Sequence, residues 1–225
     1  MKEKITGIIL GTIKHNDRHN ITGIYTRERG RMSLLTPAGT TKKSRQTAAR
    51  VLPLSIVEAQ VNMSALSELR IPTSIMPVNI WRTLYNDPIK MSVVIFLTEF
   101  LHRLLRDAPA DIPLWDFIAR SVELFDMTDQ PQTIANFHIS FLIGLMHKTG
   151  ISPELTEESD GLEYDVHAGR TVLAHINHAR ELGFKLNGQM RSEILDEILR
   201  YYECHFPGCS NLKSLDVLKQ IFIST

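Results

Sequence analysis

The chain has 225 residues, of which 43% are hydrophobic and 22% are charged, and this ordinary composition excludes disorder as the default interpretation. Its two cysteines, Cys204 and Cys209, exclude a fold organised by disulfides and indicate a reducing compartment. We expect no signal peptide, and the most apolar stretch, 91–105, is too short and too often interrupted by polar residues to span a bilayer. We interpret that stretch as a buried central helix.

The net charge of zero conceals an uneven distribution of charge along the chain. Residues 1–82 carry 13 Lys and Arg against 5 Asp and Glu, which is a net charge of +8. Residues 83–225 carry 12 against 20, which is a net charge of −8. Such asymmetry indicates that the basic half binds nucleic acid or another acidic surface. Docking of the basic half on the acidic half would produce the same pattern.

The first 80 residues predict β-strands. From Ile5 to Ile13 every odd position is apolar or glycine, a period of 2 that is typical of a strand, and glycine on the packed face permits sharp bending. Turn residues separate the other strands, which we predict at 21–26, 31–36, 51–63 and 69–75. Five short, curved strands predict a small closed barrel. A five-stranded OB-fold is the first candidate, and an SH3-like barrel is the alternative.

After Pro77 the apolar period changes from 2 to 3.6, which predicts helices. Proline in a first turn and glycine after a last turn mark several helix ends. We predict an acidic, irregular loop at 151–170 and helices at 88–106, 113–125, 131–149, 171–182, 192–206 and 211–223. The predicted fold class is therefore α+β, with an OB-fold domain at 1–80 and an all-α helical domain at 81–225.

The polar, basic segment 37–50, which we predict to be a loop, is the most informative local feature for function. No acidic residue occurs from Ser33 to Val57. A basic loop beside a barrel can lay cations along a phosphate backbone, which gives salt-sensitive affinity without sequence specificity. The alternative is a solvated loop that keeps an edge strand soluble. We predict that DNA is contacted by Lys14, Arg31, Lys42, Lys43, Arg45 and Arg50, and that turns and strand ends could extend this patch through Arg18, Arg27 and Arg29.

Other chemistry is weakly supported by the sequence. Tyr25 is the only aromatic residue before Trp81, so the pattern favours contact with the nucleic-acid backbone over stacking on bases. No phosphate loop, dinucleotide-binding glycine motif or nucleophile elbow occurs, which weakens an enzymatic interpretation. The best local group of titratable residues lies at 160–167, where an acidic solvated loop is a simpler interpretation than an acid–base site.

Two groups of metal-ligating residue types occur towards the C-terminus. Cys204, His205 and Cys209 are close together, but no second pair of ligands follows at zinc-finger spacing. His175 and His178 are three residues apart on a predicted helix. We interpret Cys204 as a small buried residue and the histidines as surface or core residues, and we predict no metal site.

Segments near both ends of the chain resemble the RecO family of bacterial recombination mediators. The N-terminal points of resemblance are TGIILGTIKHND, IYTRERGRMSLLTPAG and VLPLSIVEA, and the C-terminal one is ILRYYECHFPGCSNLKSLDVLKQIF. The resemblance implies an OB-fold followed by a helical domain, binding of single- and double-stranded DNA, and annealing of complementary strands. It also implies a cytoplasmic, nucleoid-associated protein that cooperates with RecR, and in some lineages RecF, to load the RecA recombinase on DNA coated by single-strand-binding protein.

The resemblance also bears on partner and metal sites. It implies that the helical domain contacts protein partners, including the acidic C-terminal tail of single-strand-binding protein, and we predict a partner contact at Leu212, Lys213 and Ser214. Many family members carry four zinc-binding cysteines in the long loop of that domain, but 150–169 contains no cysteine here. Our first hypothesis is a DNA repair mediator that is not an enzyme. The alternatives are an adaptor whose basic barrel binds an acidic protein, and an enzyme that uses the loop at 151–170.

Overall fold

The structure is a computed structural model of the protein, and it describes residues 2–39, 42–63, 69–153 and 185–223. The N-terminal part of these residues forms one sheet with the strand order β5-β3-β2-β1-β4-β6. The strands are β1 (Lys2–Lys14), β2 (His19–Thr26), β3 (Gly30–Pro37), β4 (Ile56–Asn62), β5 (Leu69–Arg70) and β6 (Pro72–Pro77). A short helix, α1 (Lys42–Ala48), lies between β3 and β4.

The two edge strands of this sheet follow one another along the chain. β5 pairs in parallel with β3, β6 pairs antiparallel with β4, and only Ile71 separates β5 from β6. Both edges of the sheet are thereby brought together, and the sheet curls into a barrel. This topology, with a helix between β3 and β4, confirms the predicted OB-fold.

Three predicted elements of the barrel need correction. The strand predicted at 51–63 begins at Ile56, because the preceding residues form a turn in which Leu54 has a φ of 58°. The single strand predicted at 69–75 is two strands, since the chain changes its pairing partner at Ile71, and the barrel therefore has six strands. The segment 37–50, predicted as a loop, contains α1, whose residues are mostly good helix formers.

The inside of the barrel is lined by aliphatic side chains. The predicted alternation along β1 is confirmed as far as Ile9 and wrong at Ile13, whose side chain is 61% exposed. The cause is a bulge at Gly11, where a φ of 124° shifts the register against β2. The buried core of the barrel consists of Ile5, Ile9, Ile24, Leu34, Val51, Val57, Ala59, Val61 and Ile75.

The C-terminal part of the described residues is helical. Asp87 and Asp111 accept hydrogen bonds from the first-turn N–H groups of two helices, and Gly150 ends another with a φ of 73°. Four predicted helices are confirmed, and the last one begins four residues later than predicted. The predicted helix at 171–182 and most of the predicted loop at 151–170 lie outside the described residues. The helices are α2 (Pro88–Leu104), α3 (Ile112–Met127), α4 (Pro131–Thr149), α5 (Gly188–His205) and α6 (Leu215–Ile223).

The barrel and the helices share one hydrophobic core. The central helix predicted at 91–105 is confirmed, because α2 packs between the other helices and the outer wall of the barrel. Its buried apolar side chains are Val93, Val94, Phe96, Leu97, Phe100 and Leu101. Trp115 Nε1 donates to Tyr25 O at 3.1 Å, and Tyr25 Oη donates to Pro109 O at 3.1 Å. The barrel contributes to this shared core through Ile8, Leu10, Tyr25, Leu54 and Ile56.

One carboxylate holds the segment that joins the barrel to α2. Asp126, at the end of α3, accepts hydrogen bonds from the backbone N–H groups of Arg82, Thr83 and Leu84 at 2.8–3.1 Å. Burial alone would raise the pKa of Asp126, but these hydrogen bonds outweigh it and hold the pKa below its ordinary value. The buried Lys90 Nζ donates to Thr83 Oγ1 at 2.6 Å and to Asp126 O at 3.1 Å, which completes the joint.

A buried histidine makes the stability of the helical part dependent on pH. His138 lies in α4 against Phe222 of α6, with their ring centroids 5.2 Å apart. Burial, and secondarily the charge of Arg191, lower the pKa of His138 to about 3. The unfolded chain therefore takes up a proton at His138 near pH 6.5, whereas the folded protein does not.

We expect the His138→Phe variant to keep stability that the wild type loses on acidification. Because the folded pKa of His138 is depressed, its contribution is present above pH 6.5 and declines as the pH falls towards 3. Between pH 7 and pH 5 the wild type is expected to lose about 2 kcal/mol more unfolding free energy than the variant. Urea titrations of both proteins at several pH values check this. Parallel pH profiles would contradict the assignment, since every other titratable group is common to both proteins.

Candidate nucleic-acid interface

Ion pairs neutralise part of the positive charge on the barrel. The nitrogen and oxygen atoms lie 2.8–3.1 Å apart in the pairs Lys4–Glu58, Lys14–Asp17, Arg27–Asp116 and Arg29–Glu3. Hydrogen bonds from Arg29 also lower the pKa of Glu3, so this pair persists at mildly acidic pH. Arg27 and Arg29 are therefore turned towards carboxylates of the protein, and the charge available to a polyanion is concentrated elsewhere.

A basic surface lies at one end of the barrel, where three segments of the chain meet. The Ala38 N–H donates to Arg18 O at 2.9 Å, which holds the β1–β2 turn beside the end of β3. Gly39 then lies against α1, because a Cβ placed on Gly39 would be 3.8 Å from Arg45 Cγ and 3.6 Å from Ala48 Cβ. We call the surface formed by residues 14–18 and 42–50 the basic rim.

The basic rim contains five of the six residues predicted to contact DNA. Lys42, Lys43 and Arg45 belong to α1, and the side chain of Arg45 is exposed. Lys14 is also exposed, although its ammonium group lies 3.0 Å from Asp17 Oδ1. Arg18, which could extend the patch, lies on the rim as an exposed residue. Contact of these residues with DNA stays a prediction.

Arg31 lies away from the rim, at the junction between the barrel and the helices. Its backbone N–H donates to Ala108 O at 2.9 Å, and its guanidinium group donates to Met32 O and covers Gly23. Burial lowers the pKa of Arg31, whereas the nearby Asp107 opposes the shift. Arg31 is half-buried and already donates to a protein acceptor, so its predicted contact with DNA gains no support from its position.

A row of threonine hydroxyl groups crosses the sheet near the rim. Thr12 Oγ1 lies 3.0 Å from Thr22 Oγ1, and Thr22 Oγ1 lies 2.8 Å from Thr36 Oγ1. Because these hydrogen bonds join β1, β2 and β3, they fix the strands that support the β1–β2 turn. This row was not predicted from the sequence. Its signal is a threonine in each of the first three predicted strands, at positions 12, 22 and 36.

The three residues predicted to bind a protein partner lie immediately before the last helix, α6. Leu212 is buried in the core, and the N–H groups of Lys213 and Ser214 donate to the Glu99 carboxylate at 3.0 and 2.9 Å. Burial opposes ionisation of Glu99, but hydrogen bonds from Lys213, Ser214 and Arg103 lower its pKa overall. These contacts attach α6 to α2. A partner contact at Leu212, Lys213 and Ser214 stays a prediction.

Within the ranges that the structure describes, no three His, Cys, Asp or Glu side chains are placed to hold a metal ion together. The interpretation of Cys204 as a buried residue is wrong, because Cys204 is exposed. Cys209 is buried, and burial raises its pKa to about 11. The pair His175 and His178 and the titratable group at 160–167 lie outside the described ranges. No helix in the described part of the chain is both long enough and apolar enough to cross a membrane.

Comparison with known proteins connects this architecture with DNA repair. The family described as Recombination protein O N terminal matches residues 1–78, and Recombination protein O C terminal matches residues 85–165. A DNA repair protein RecO from Phocaeicola vulgatus is 32% identical over 245 residues, covering 99% of this chain and 100% of the relative. The DNA repair protein RecO of Bacteroides fragilis is 30% identical over 246 residues, again covering 99% and 100%. That of Azobacteroides pseudotrichonymphae is 29% identical over 242 residues, with the same coverage of both chains.

Proposed function

Because the chain belongs to the RecO family of DNA repair proteins, we propose that it is a recombination mediator that binds and anneals DNA through its basic rim. The proposed partners are single- and double-stranded DNA, RecR and the C-terminal tail of single-strand-binding protein. Loading of the recombinase together with RecR is the proposed outcome, and the protein acts as a mediator in the cytoplasm, without catalysing a reaction itself.

The observation that carries this proposal is the concentration of cations on α1. Lys42, Lys43 and the exposed Arg45 follow one another on a short helix at the end of an OB-fold barrel. No acidic residue occurs between Glu28 and Glu58, so no carboxylate close in sequence competes for these cations. OB-folds commonly bind oligonucleotides, and a cluster of this kind suits contact with a phosphate backbone.

The proposed mechanism is electrostatic. Two complementary strands repel one another, and cations that neutralise phosphates on both strands allow them to approach and pair. Contact with the backbone leaves the bases free for pairing, which suits a protein whose basic half has Tyr25 as its only aromatic residue. The buried position of Tyr25 supports the same mechanism, since its ring is fully enclosed in the shared core.

We expect removal of the α1 cations to weaken DNA binding strongly. The variant K42Q/K43Q/R45Q is expected to bind single-stranded oligonucleotides about 50-fold more weakly at 0.1 M salt. The slope of log affinity against log salt concentration should become shallower by about 2, since each lost phosphate contact on a single strand contributes about 0.7. Fluorescence anisotropy titrations at four salt concentrations measure both quantities.

The matched control removes the same charge from other exposed positions. K4Q/R29Q/R120Q substitutes three cations that already form ion pairs with Glu58, Glu3 and Glu123, and it should change affinity by less than about 5-fold. Equal losses in both triple variants would show that only total charge matters and would overturn the assignment to the rim. If the wild type bound no oligonucleotide but retained an acidic protein after nuclease treatment, the adaptor hypothesis would replace this proposal.

A further inference from the structure

We infer that Arg50 is a positioning residue of the basic rim, which holds α1 against β6 so that the α1 cations keep a fixed place beside the barrel. This inference rests on the proposed function, because it concerns the same rim. It changes the role predicted for Arg50 from contact with DNA to support of the residues that make that contact.

Arg50 is joined to α1 by continuous backbone hydrogen bonds. The Ala49 N–H donates to Arg45 O at 3.0 Å, and the Arg50 N–H donates to Thr47 O at 3.0 Å. The next residue, Val51, donates to Ala48 O and places its side chain in the barrel core, where it is only 8% exposed. A displacement of Arg50 would therefore move the end of α1 with it.

The side chain of Arg50 connects this end of α1 to a strand of the barrel. Its Nη1 donates to Ile75 O at 3.1 Å and lies 3.2 Å from Met76 Sδ. Ile75 belongs to β6, and its own side chain is buried in the barrel core. The hydrogen bond between a guanidinium group and a carbonyl group is charge-assisted, so it is stronger than an ordinary backbone hydrogen bond.

α1 has a second attachment at Gly39. The spacing of 3.6 Å between a Cβ on Gly39 and Ala48 Cβ is ordinary van der Waals contact, so the chain after β3 lies directly against the helix. α1 is thus attached to the segment after β3 by direct contact and to β6 through Arg50. A helix of seven residues has little stability of its own, so its orientation depends on these two attachments.

The two possible roles of Arg50 predict different results in a protein that lacks the α1 cations. A phosphate contact acts independently of Lys42, Lys43 and Arg45, so its effect adds to theirs. A positioning residue acts through those cations, so its effect vanishes when they are absent. The test therefore compares Arg50→Met in the wild-type protein with Arg50→Met in the K42Q/K43Q/R45Q protein. Methionine keeps the length of the side chain and removes its donors and its charge.

We expect Arg50→Met alone to weaken binding of a single-stranded oligonucleotide by about 5-fold, and by less than about 2-fold in the triple variant. In that triple variant the salt slope should not change further. Hydrogen exchange should become faster at the amides of 42–51 in the Arg50→Met protein and stay unchanged in the helical part. Thermal unfolding of every variant provides the check that each protein is folded at the temperature of measurement.

Three results would overturn the inference. An equal loss from Arg50→Met in both backgrounds, with a slope shallower by about 0.7 in the triple variant, would make Arg50 a direct phosphate contact. Unchanged affinity in the wild-type background would show that Arg50 has no part in binding. Unchanged hydrogen exchange at 42–51 would show that Arg50 does not hold α1. If the wild type bound no DNA, the proposed function would fail, and the exchange measurement would still report separately on the attachment of α1.

Discussion

The Gly30→Ala substitution is expected to lower the free energy of unfolding by about 4 kcal/mol. Gly30 begins β3 with a φ of 72°, and a Cβ at this position would overlap the backbone of Ala108, Pro109 and Ala110. Because the obstacle is backbone, no side chain can rotate out of the way. The β2–β3 turn would have to move away from the connection between α2 and α3, which would break the hydrogen bond from Arg31 N–H to Ala108 O.

Gly150→Ala is the matched control for this prediction. Gly150 has almost the same φ, 73°, but apart from its chain neighbours no atom of the described residues lies within 4 Å of the position of a Cβ. Its loss should therefore be limited to the conformational cost of alanine in the left-handed region, about 1 kcal/mol. Urea denaturation followed by tryptophan fluorescence measures both variants, since Trp81 and Trp115 both lie where the barrel meets the helices. Equal losses would show that the contact at Gly30 contributes nothing.

Asp126→Ala should destabilise the protein by a similar amount, about 4 kcal/mol. The substitution would leave the N–H groups of Arg82, Thr83 and Leu84 without their acceptor. It would also remove the negative charge that most favours the ionised form of the buried Lys90. The segment between β6 and α2 would then lose these hydrogen bonds, and the positive charge of Lys90 would be less well compensated.

Asp116→Ala, in the same helix, provides the comparison for Asp126→Ala. Asp116 is exposed and pairs with Arg27 at 3.1 Å, so its loss should cost less than about 1 kcal/mol. A further check uses pH. The pKa of Asp126 is below its ordinary value of 3.8, so its contribution is complete above that pH and declines as the pH falls further. The difference in stability between the wild type and Asp126→Ala should therefore be constant from pH 5 to pH 7. A difference that disappeared over that range would contradict the role of the carboxylate.

Much of the fold could be predicted from the sequence because its signals are local. Asp87 and Pro88 at the start of α2, and Gly150 after α4, lie within a few residues of the helix ends that they define. The helix α1 was not predicted, because its sequence KKSRQTA has no apolar residues at a helical spacing. Its polar composition indicated a loop instead. The register shift at Gly11 was also missed, since the alternation of residue types continues through the bulge although the alternation of faces does not.

Only the concentration of basic residues at the candidate site could be predicted from the sequence. The sequence shows where basic residues are concentrated, but it does not show which of them are neutralised by distant carboxylates. Arg29 pairs with Glu3, 26 positions away, and Arg27 pairs with Asp116, 89 positions away. Such pairs depend on the tertiary fold, so Arg27, Arg29 and Arg45 are equivalent in the sequence and different in the structure.

The shared core has a consequence for how the protein is made. The barrel is synthesised before the helices. The apolar side chains of Ile8, Leu10 and Tyr25 on its outer wall therefore stay exposed to solvent until α2 and α3 have been synthesised. A nascent chain that stalls before α3 is complete therefore presents a finished basic rim next to an uncovered apolar wall. Such a chain is expected to aggregate more readily than the complete protein.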